Sequence, residues 1–143
     1  MIPRYSLPEM ASLWSDEARF SAWLEVEVLA VEAWSLLGTV PAPDVAAIKE
    51  RTAGMVTAAD VAEIEARERV TNHDVAAFVD IVAGRVGQPA GGWVHYGLTS
   101  SDVVDTALSL TLTRAATLLV DAAKDLEEAI ADRARGLRDV PMV

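Results

Sequence analysis

Val104, Leu108, Ala115, Leu119, Ala122, Leu126 and Ile130 recur at helical spacing over roughly thirty residues. At about 1.5 Å per residue, one helix of that length exceeds roughly 45 Å. Helices in compact domains average about 11–12 residues, so this one is too long for a compact domain of 143 residues. A helix of this kind requires partner helices along its flank, and the sequence offers none after it. No segment alternates with the period of a strand, and there is no internal repeat or low-complexity tract. The expected fold is all-α, and it looks incomplete.

The preceding residues divide into shorter helices. "IPRYSLPEM" reads as an extended arm, because Pro3 and Pro8 keep Ile2 and Leu7 out of helical geometry. Ser15 is a good N-cap, and Asp16 and Glu17 after it favour the positive end of a helix. Phe20, Leu24, Val28 and Val31 form one stripe on this helix, and Trp23, Val26, Ala30 and Trp34 form a second. Two stripes imply burial on more than one side. Gly38 and Pro41 end it, and a shorter helix starts near Pro43. Thr57 and Asp60 fit a capping box. Glu63 with Arg67 and Glu65 with Arg69 have the spacing of ion pairs along one helix. "TNHDVAAFVDIVAGRVG" is a further helix, with Val75, Phe78, Val79, Val82 and Val86 on one face. "GQPAGG" ends it. The four tryptophans and the phenylalanines fall at core spacing.

Composition excludes several function classes. The chain has 22 acidic and 12 basic residues, a formal charge of −10, which argues against nonspecific binding to nucleic acid or an anionic membrane. There are no cysteines, so disulfides, thiolate nucleophiles and Cys-zinc sites are excluded. The N-terminus lacks the apolar core of a signal peptide, and no run approaches about 18 uninterrupted apolar residues. A soluble, cytoplasmic protein is expected. The two histidines lack His-x-x-x-His spacing, so no metal site and no cofactor are expected.

The chemistry-bearing residues cluster at helix entrances. His73 and His95 each lie just before or at a helix start, where an imidazole stays neutral and acts as acceptor or donor. The alternative is that both are partly exposed helix-entry residues. Asp74 after His73 either orients the ring, anchors the loop or favours the first helical turn. In "HYGLTSSD" the hydroxyls Thr99, Ser100 and Ser101 precede the long helix. One must cap it, and the others, with the free N–H groups there, form a site for a carboxylate or phosphate. A redundantly capped helix is the alternative. Gly91, Gly92 and Gly97 permit close backbone approach or turning nearby. Arg4, with its guanidinium fork, and Tyr5 lie on the N-terminal arm.

Three segments, taken in order, carry a resemblance. "RYSLPEMASLWSDEARFSAWLEVEVL", "TNHDVAAFV" and "HYGLTSSDVVDTALSL" resemble the adenylosuccinate lyase branch of the fumarase/aspartase superfamily. "RDVPMV" is similar to the lead-in to that family's GRTHGQ-type segment, which does not follow here. The resemblance implies an N-terminal helical domain over residues 1–98 and the first long helix of a central bundle over residues 99–143. It implies elimination of fumarate from adenylosuccinate, giving AMP, and from the succinyl-carboxamide ribotide of purine synthesis. It assigns Arg4 and Tyr5 to the nucleotide. Asn72, His73 and Asp74 match the next substrate-binding segment, with His73 assisting the acid. Thr99 and Ser100, beside His95, match residues that hold the succinyl or fumarate portion. The family's main acid and catalytic serine lie in segments absent from this sequence, and its active sites combine subunits of a homotetramer. The chain alone is therefore expected to be inactive. Two other readings stay open at this point: a non-catalytic helical interaction module, and another fumarate-releasing lyase such as argininosuccinate lyase.

Overall fold

The computed structural model describes residues 3–141. Among these lie the helices α1 (Pro8–Leu13), α2 (Asp16–Leu36), α3 (Ala42–Thr52), α4 (Ala58–Thr71), α5 (Asp74–Val86) and α6 (Ser100–Gly136), with no strand. Single 3-10 turns occupy Pro3–Tyr5 and Ala90–Trp93. The fold is all-α, as the periodicity requires.

The N-terminal arm departs from expectation. Leu7 is extended ahead of Pro8, but Pro8 then opens α1 as its first residue, a position where its fixed φ suits a helix. The segment is thus a 3-10 turn and a short helix rather than an extended strap. Ile2 lies outside the described residues.

The core forms where α2 meets α5. The Ser15 hydroxyl caps α2 by accepting the Ala18 N–H at 3.1 Å. Phe20 and Trp23 of α2, edge-to-face at 5.2 Å, meet Phe78 of α5, Phe20 stacked on it at 5.8 Å and Trp23 edge-to-face at 5.5 Å. The two stripes on α2 are both used: Phe20, Trp23 and Val31 are buried, and Leu24, Val26, Val28 and Trp34 pack partly against the same core. On α5, Val75, Phe78, Val82 and Val86 are fully enclosed, with Val79 beside them. Of the four tryptophans only Trp23 is core. Trp14 is 44% exposed, and Trp34 and Trp93 are half-buried because their indole N–H groups reach polar partners.

Helices α4 and α5 form an antiparallel hairpin. The capping box opens α4: the Asp60 carboxylate accepts the Thr57 N–H at 2.6 Å and its hydroxyl at 2.8 Å. The Thr57 N–H does most to lower the Asp60 pKa from 3.8 to about 2; burial opposes it, and the Thr57 hydroxyl and Arg85 add to the lowering. The ion pairs expected along α4 run across the hairpin instead. Arg67 binds Asp80 at 2.7 Å, and Arg85 reaches both Asp60 and Glu63. The neighbouring helix brings these opposite charges within reach of α4, and the pairs link the two helices.

Helix α6 runs for 37 residues, about 55 Å at the usual rise. Its contact with the other helices is confined to the first turns. Val103, Ala107 and Ala115 are buried, small side chains that let α6 lie close against α2, and Arg114 binds Glu25 of α2 at 3.0 Å. The contacting stripe is therefore offset by one residue at its start from the sequence-read stripe. Val104 packs partly, while Leu108, Leu119, Leu126 and Ile130 are 46–64% exposed. An 18-residue window of α6 is long and apolar enough by composition to cross a membrane, although it contains no unbroken apolar run. The far half of the helix carries an apolar face that nothing among the described residues covers.

Candidate functional site

The turn between α4 and α5 positions the first group. Asn72 ends α4 at φ +52°, the left-handed region that asparagine tolerates better than most residues. His73 follows as the N-cap of α5, and its Nδ1 accepts the Ala76 N–H at 3.2 Å. A backbone N–H can only donate, so Nδ1 is bare and the ring proton sits on Nε2. That nitrogen lies 3.4 Å from the Ser100 hydroxyl, across 27 residues of sequence. The Asp74 carboxylate is 3.5 Å from Nδ1 but accepts the Val75 N–H at 2.7 Å. With Nδ1 already an acceptor, Asp74 neighbours the imidazole without orienting it. The Thr71 hydroxyl closes the turn by donating to the His73 carbonyl at 2.9 Å.

The α6 entrance resolves the surplus of hydroxyls. Thr99 is the cap: the Asp102 carboxylate accepts its N–H at 2.7 Å and its hydroxyl at 3.0 Å. The Thr99 N–H, then its hydroxyl, hold Asp102 below the usual carboxylate range; a slight burial opposes them, and His95 adds a small favourable charge. Ser100 faces His73, and Ser101 is exposed. One hydroxyl caps, and one is turned toward the other motif.

The loop that delivers this entrance is anchored on α2 and α3. Trp34 donates to the Tyr96 carbonyl at 3.0 Å, and Trp93 donates to Asp44 at 2.9 Å. The Tyr96 ring sits edge-on to both indoles, at 5.6 and 5.1 Å. Gly97 turns at φ +75° against the Trp34 ring, where a Cβ would lie 2.9 Å from Cζ2. Gly91 passes so close to α5 that a Cβ would lie 2.4 Å from the Ala83 carbonyl oxygen. Gly92 has ordinary space, so two of the three glycines meet the expectation. His95 itself is a non-glycine residue at φ +65°. Its N–H donates to Glu27 Oε2 at 2.8 Å, and its Nδ1 lies 2.6 Å from Glu27 Oε1.

Glu27 did not emerge from sequence reasoning, although a signal was present. It falls on the buried stripe of α2 between Trp23 and Val31, and a carboxylate in such a stripe demands a partner.

The structure thus brings the "TNHDV" and "HYGLTSSD" segments together through His73 and Ser100, with Asn72, Asp74, His95 and Thr99 in the flanking turns. Arg4 and Tyr5 stand apart. They pair with each other, the guanidinium donating to the Tyr5 hydroxyl at 3.0 Å, and among the described residues no hydrogen bond or ion pair ties them to this cluster. A separate groove of about 250 Å³ between α1, α2 and α6 shares only Asp74 with the cluster. Chemically, the α6 entrance offers unspent N–H groups, a hydroxyl and two imidazoles, a set suited to a small carboxylate and to proton exchange with it.

The chain is similar to lyases across its whole span. It is 50% identical over 127 residues to adenylosuccinate lyase from Bacillus subtilis (strain 168), covering 89% of this chain and 27% of that protein. It is 48% identical over 139 residues to adenylosuccinate lyase from Staphylococcus saprophyticus, covering 97% of this chain and 30% of that protein. The crystal structure of fumarate lyase from Mesorhizobium sp. BNC1 superposes with a TM-score of 0.83 at 26% identity, over 93% of this chain and 31% of the other. The chain spans less than a third of the length of these relatives. A family model described as Lyase matches residues 4–143, and the chain belongs to that lyase family.

Proposed function

We propose that this chain is the N-terminal part of an adenylosuccinate lyase and carries one wall of its substrate site. The reaction removes a proton from the carbon beside a substrate carboxylate, breaks the C–N bond and protonates the departing nitrogen. Adenylosuccinate yields fumarate and AMP, and the succinyl-carboxamide ribotide yields fumarate and the primary carboxamide. The observation that carries this reading is the approach of His73 Nε2 to Ser100 Oγ, which joins two distant polar motifs at one helix entrance. Thr99 and Ser100, beside His95, hold the four-carbon acid. His73 assists the proton transfers, with Asn72 and Asp74 in its segment, and Arg4 and Tyr5 bind the nucleotide. The main acid and base come from segments outside this sequence. Residues 1–98 act as the N-terminal helical domain, and residues 99–143 begin the central bundle of a cytoplasmic homotetramer. The formal charge of −10 fits such sharing, because an anionic nucleotide needs basic groups from elsewhere.

The likeness to a fumarate lyase structure favours a second reading, release of fumarate from a different substrate. Assaying the full-length lyase on adenylosuccinate and on argininosuccinate separates the two. Fumarate release from adenylosuccinate is the expected result; release from argininosuccinate alone overturns the assignment.

A further inference from the structure

We propose that Glu27 is the positioning residue of His95: it keeps the imidazole proton on Nδ1 and so reserves Nε2 as the nitrogen that meets the ligand. The proposal rests on the reading of His95 as part of the substrate site. Glu27 is 2% exposed, in the middle of α2 among core side chains. A carboxylate there is strongly disfavoured unless its oxygens are hydrogen-bonded. A single residue serves both oxygens. Oε2 accepts the His95 backbone N–H, and Oε1 faces Nδ1. An ionised carboxylate only accepts, so Nδ1 must supply the proton.

The two contacts together fix both the position and the rotation of the ring. They also hold the His95 backbone at φ +65°, where a residue with a Cβ is strained and persists only when its surroundings over-determine it. Two turns along the same face of α2, Trp34 grips the next residue through the Tyr96 carbonyl. Residues 95 and 96 of the loop are therefore docked against one side of α2, while Trp93 ties the loop to α3. The far ring nitrogen is left open: the His95 side chain is 23% exposed, and Nε2 has no hydrogen-bond partner among the described residues. An apolar residue at position 27 would fill the core without desolvating a charge. What Glu27 adds is a defined tautomer, which leaves the lone pair of Nε2 free for the ligand.

The test uses the two histidines of the chain as their own reporters. His73 carries its proton on Nε2, because its Nδ1 accepts the Ala76 N–H. In the chain labelled with 15N-histidine, at a pH that keeps both rings neutral, the spectrum should show one ring of each tautomer. In E27Q the His95 backbone N–H claims the amide oxygen, the amide NH2 faces Nδ1, and the proton moves to Nε2. Both rings then share one tautomer. In the full-length lyase, E27Q should lower kcat by about tenfold or more and have no further effect in a His95→Ala background.

A bare Nδ1 on His95 in the unsubstituted chain overturns the proposal, and this arm does not depend on the variant folding. So does an E27Q chain that keeps its original tautomer. Full turnover in E27Q beside an impaired His95→Ala variant, or an E27Q loss that persists in the His95→Ala background, also overturns it. Normal turnover in His95→Ala defeats instead the placement of His95 in the substrate site.

Discussion

At the scale of single residues, glycines and carboxylates show how local geometry is enforced. Gly91 faces a backbone carbonyl that cannot move aside, while Gly97 faces an aromatic ring and sits at φ +75°. Gly91→Ala should therefore cost about 3 kcal/mol, and Gly97→Ala between about 1 and 3 kcal/mol. Gly84 is in the interior of α5 with open space around it, so Gly84→Ala should stabilise by about 0.5–1 kcal/mol. Urea unfolding of the three variants checks the order. The importance of Gly91 and Gly97 was legible as a cluster, but only the fold shows that Gly92 is unconstrained. Asp60 was legible as a cap, and its contact with Arg85 of α5 was not, because that contact depends on how the hairpin closes. Its folded pKa of about 2 lies below the ordinary 3.8, so its stabilisation is present above pH 4 and is lost as pH falls through 2. Asp60→Asn should destabilise by on the order of 1 kcal/mol at pH 7, with the difference closing toward pH 2 in pH-dependent unfolding.

At the scale of elements, what the sequence discloses depends on whether the cause is local. The Ser15 and Thr57 caps and the buried face of α5 follow from short-range rules and were legible to the residue. The N-terminal arm departs from the sequence expectation because a proline that forbids helix in its predecessor also starts one at its own position. Arg67 abandons its neighbour on α4 for Asp80 because a second helix offers a partner, which spacing within one helix cannot reveal. The candidate site shows the same division. Its hydroxyls and histidines stand out as motifs, whereas Glu27, 68 residues from His95, joins them only through the packing of a loop against α2.

At the scale of the whole molecule, the apolar face of α6 stands uncovered among the described residues. Leu119, Leu126 and Ile130 are 60–64% exposed, and covering each would contribute roughly 1–2 kcal/mol. In the proposed homotetramer this face is buried in the bundle. Leu126→Glu should then leave the unfolding free energy of this chain within about 0.5 kcal/mol, yet shift the full-length lyase to smaller species in analytical ultracentrifugation. The central claim is that the His73 and Ser100 motifs form one wall of a substrate site, and the turnover of adenylosuccinate by full-length Ser100→Ala enzyme tests it most directly. We predict a fall in kcat on the order of 100-fold, with a melting temperature unchanged within about 2 °C. Undiminished turnover at an unchanged melting temperature would contradict the claim and reduce the cluster to helix capping.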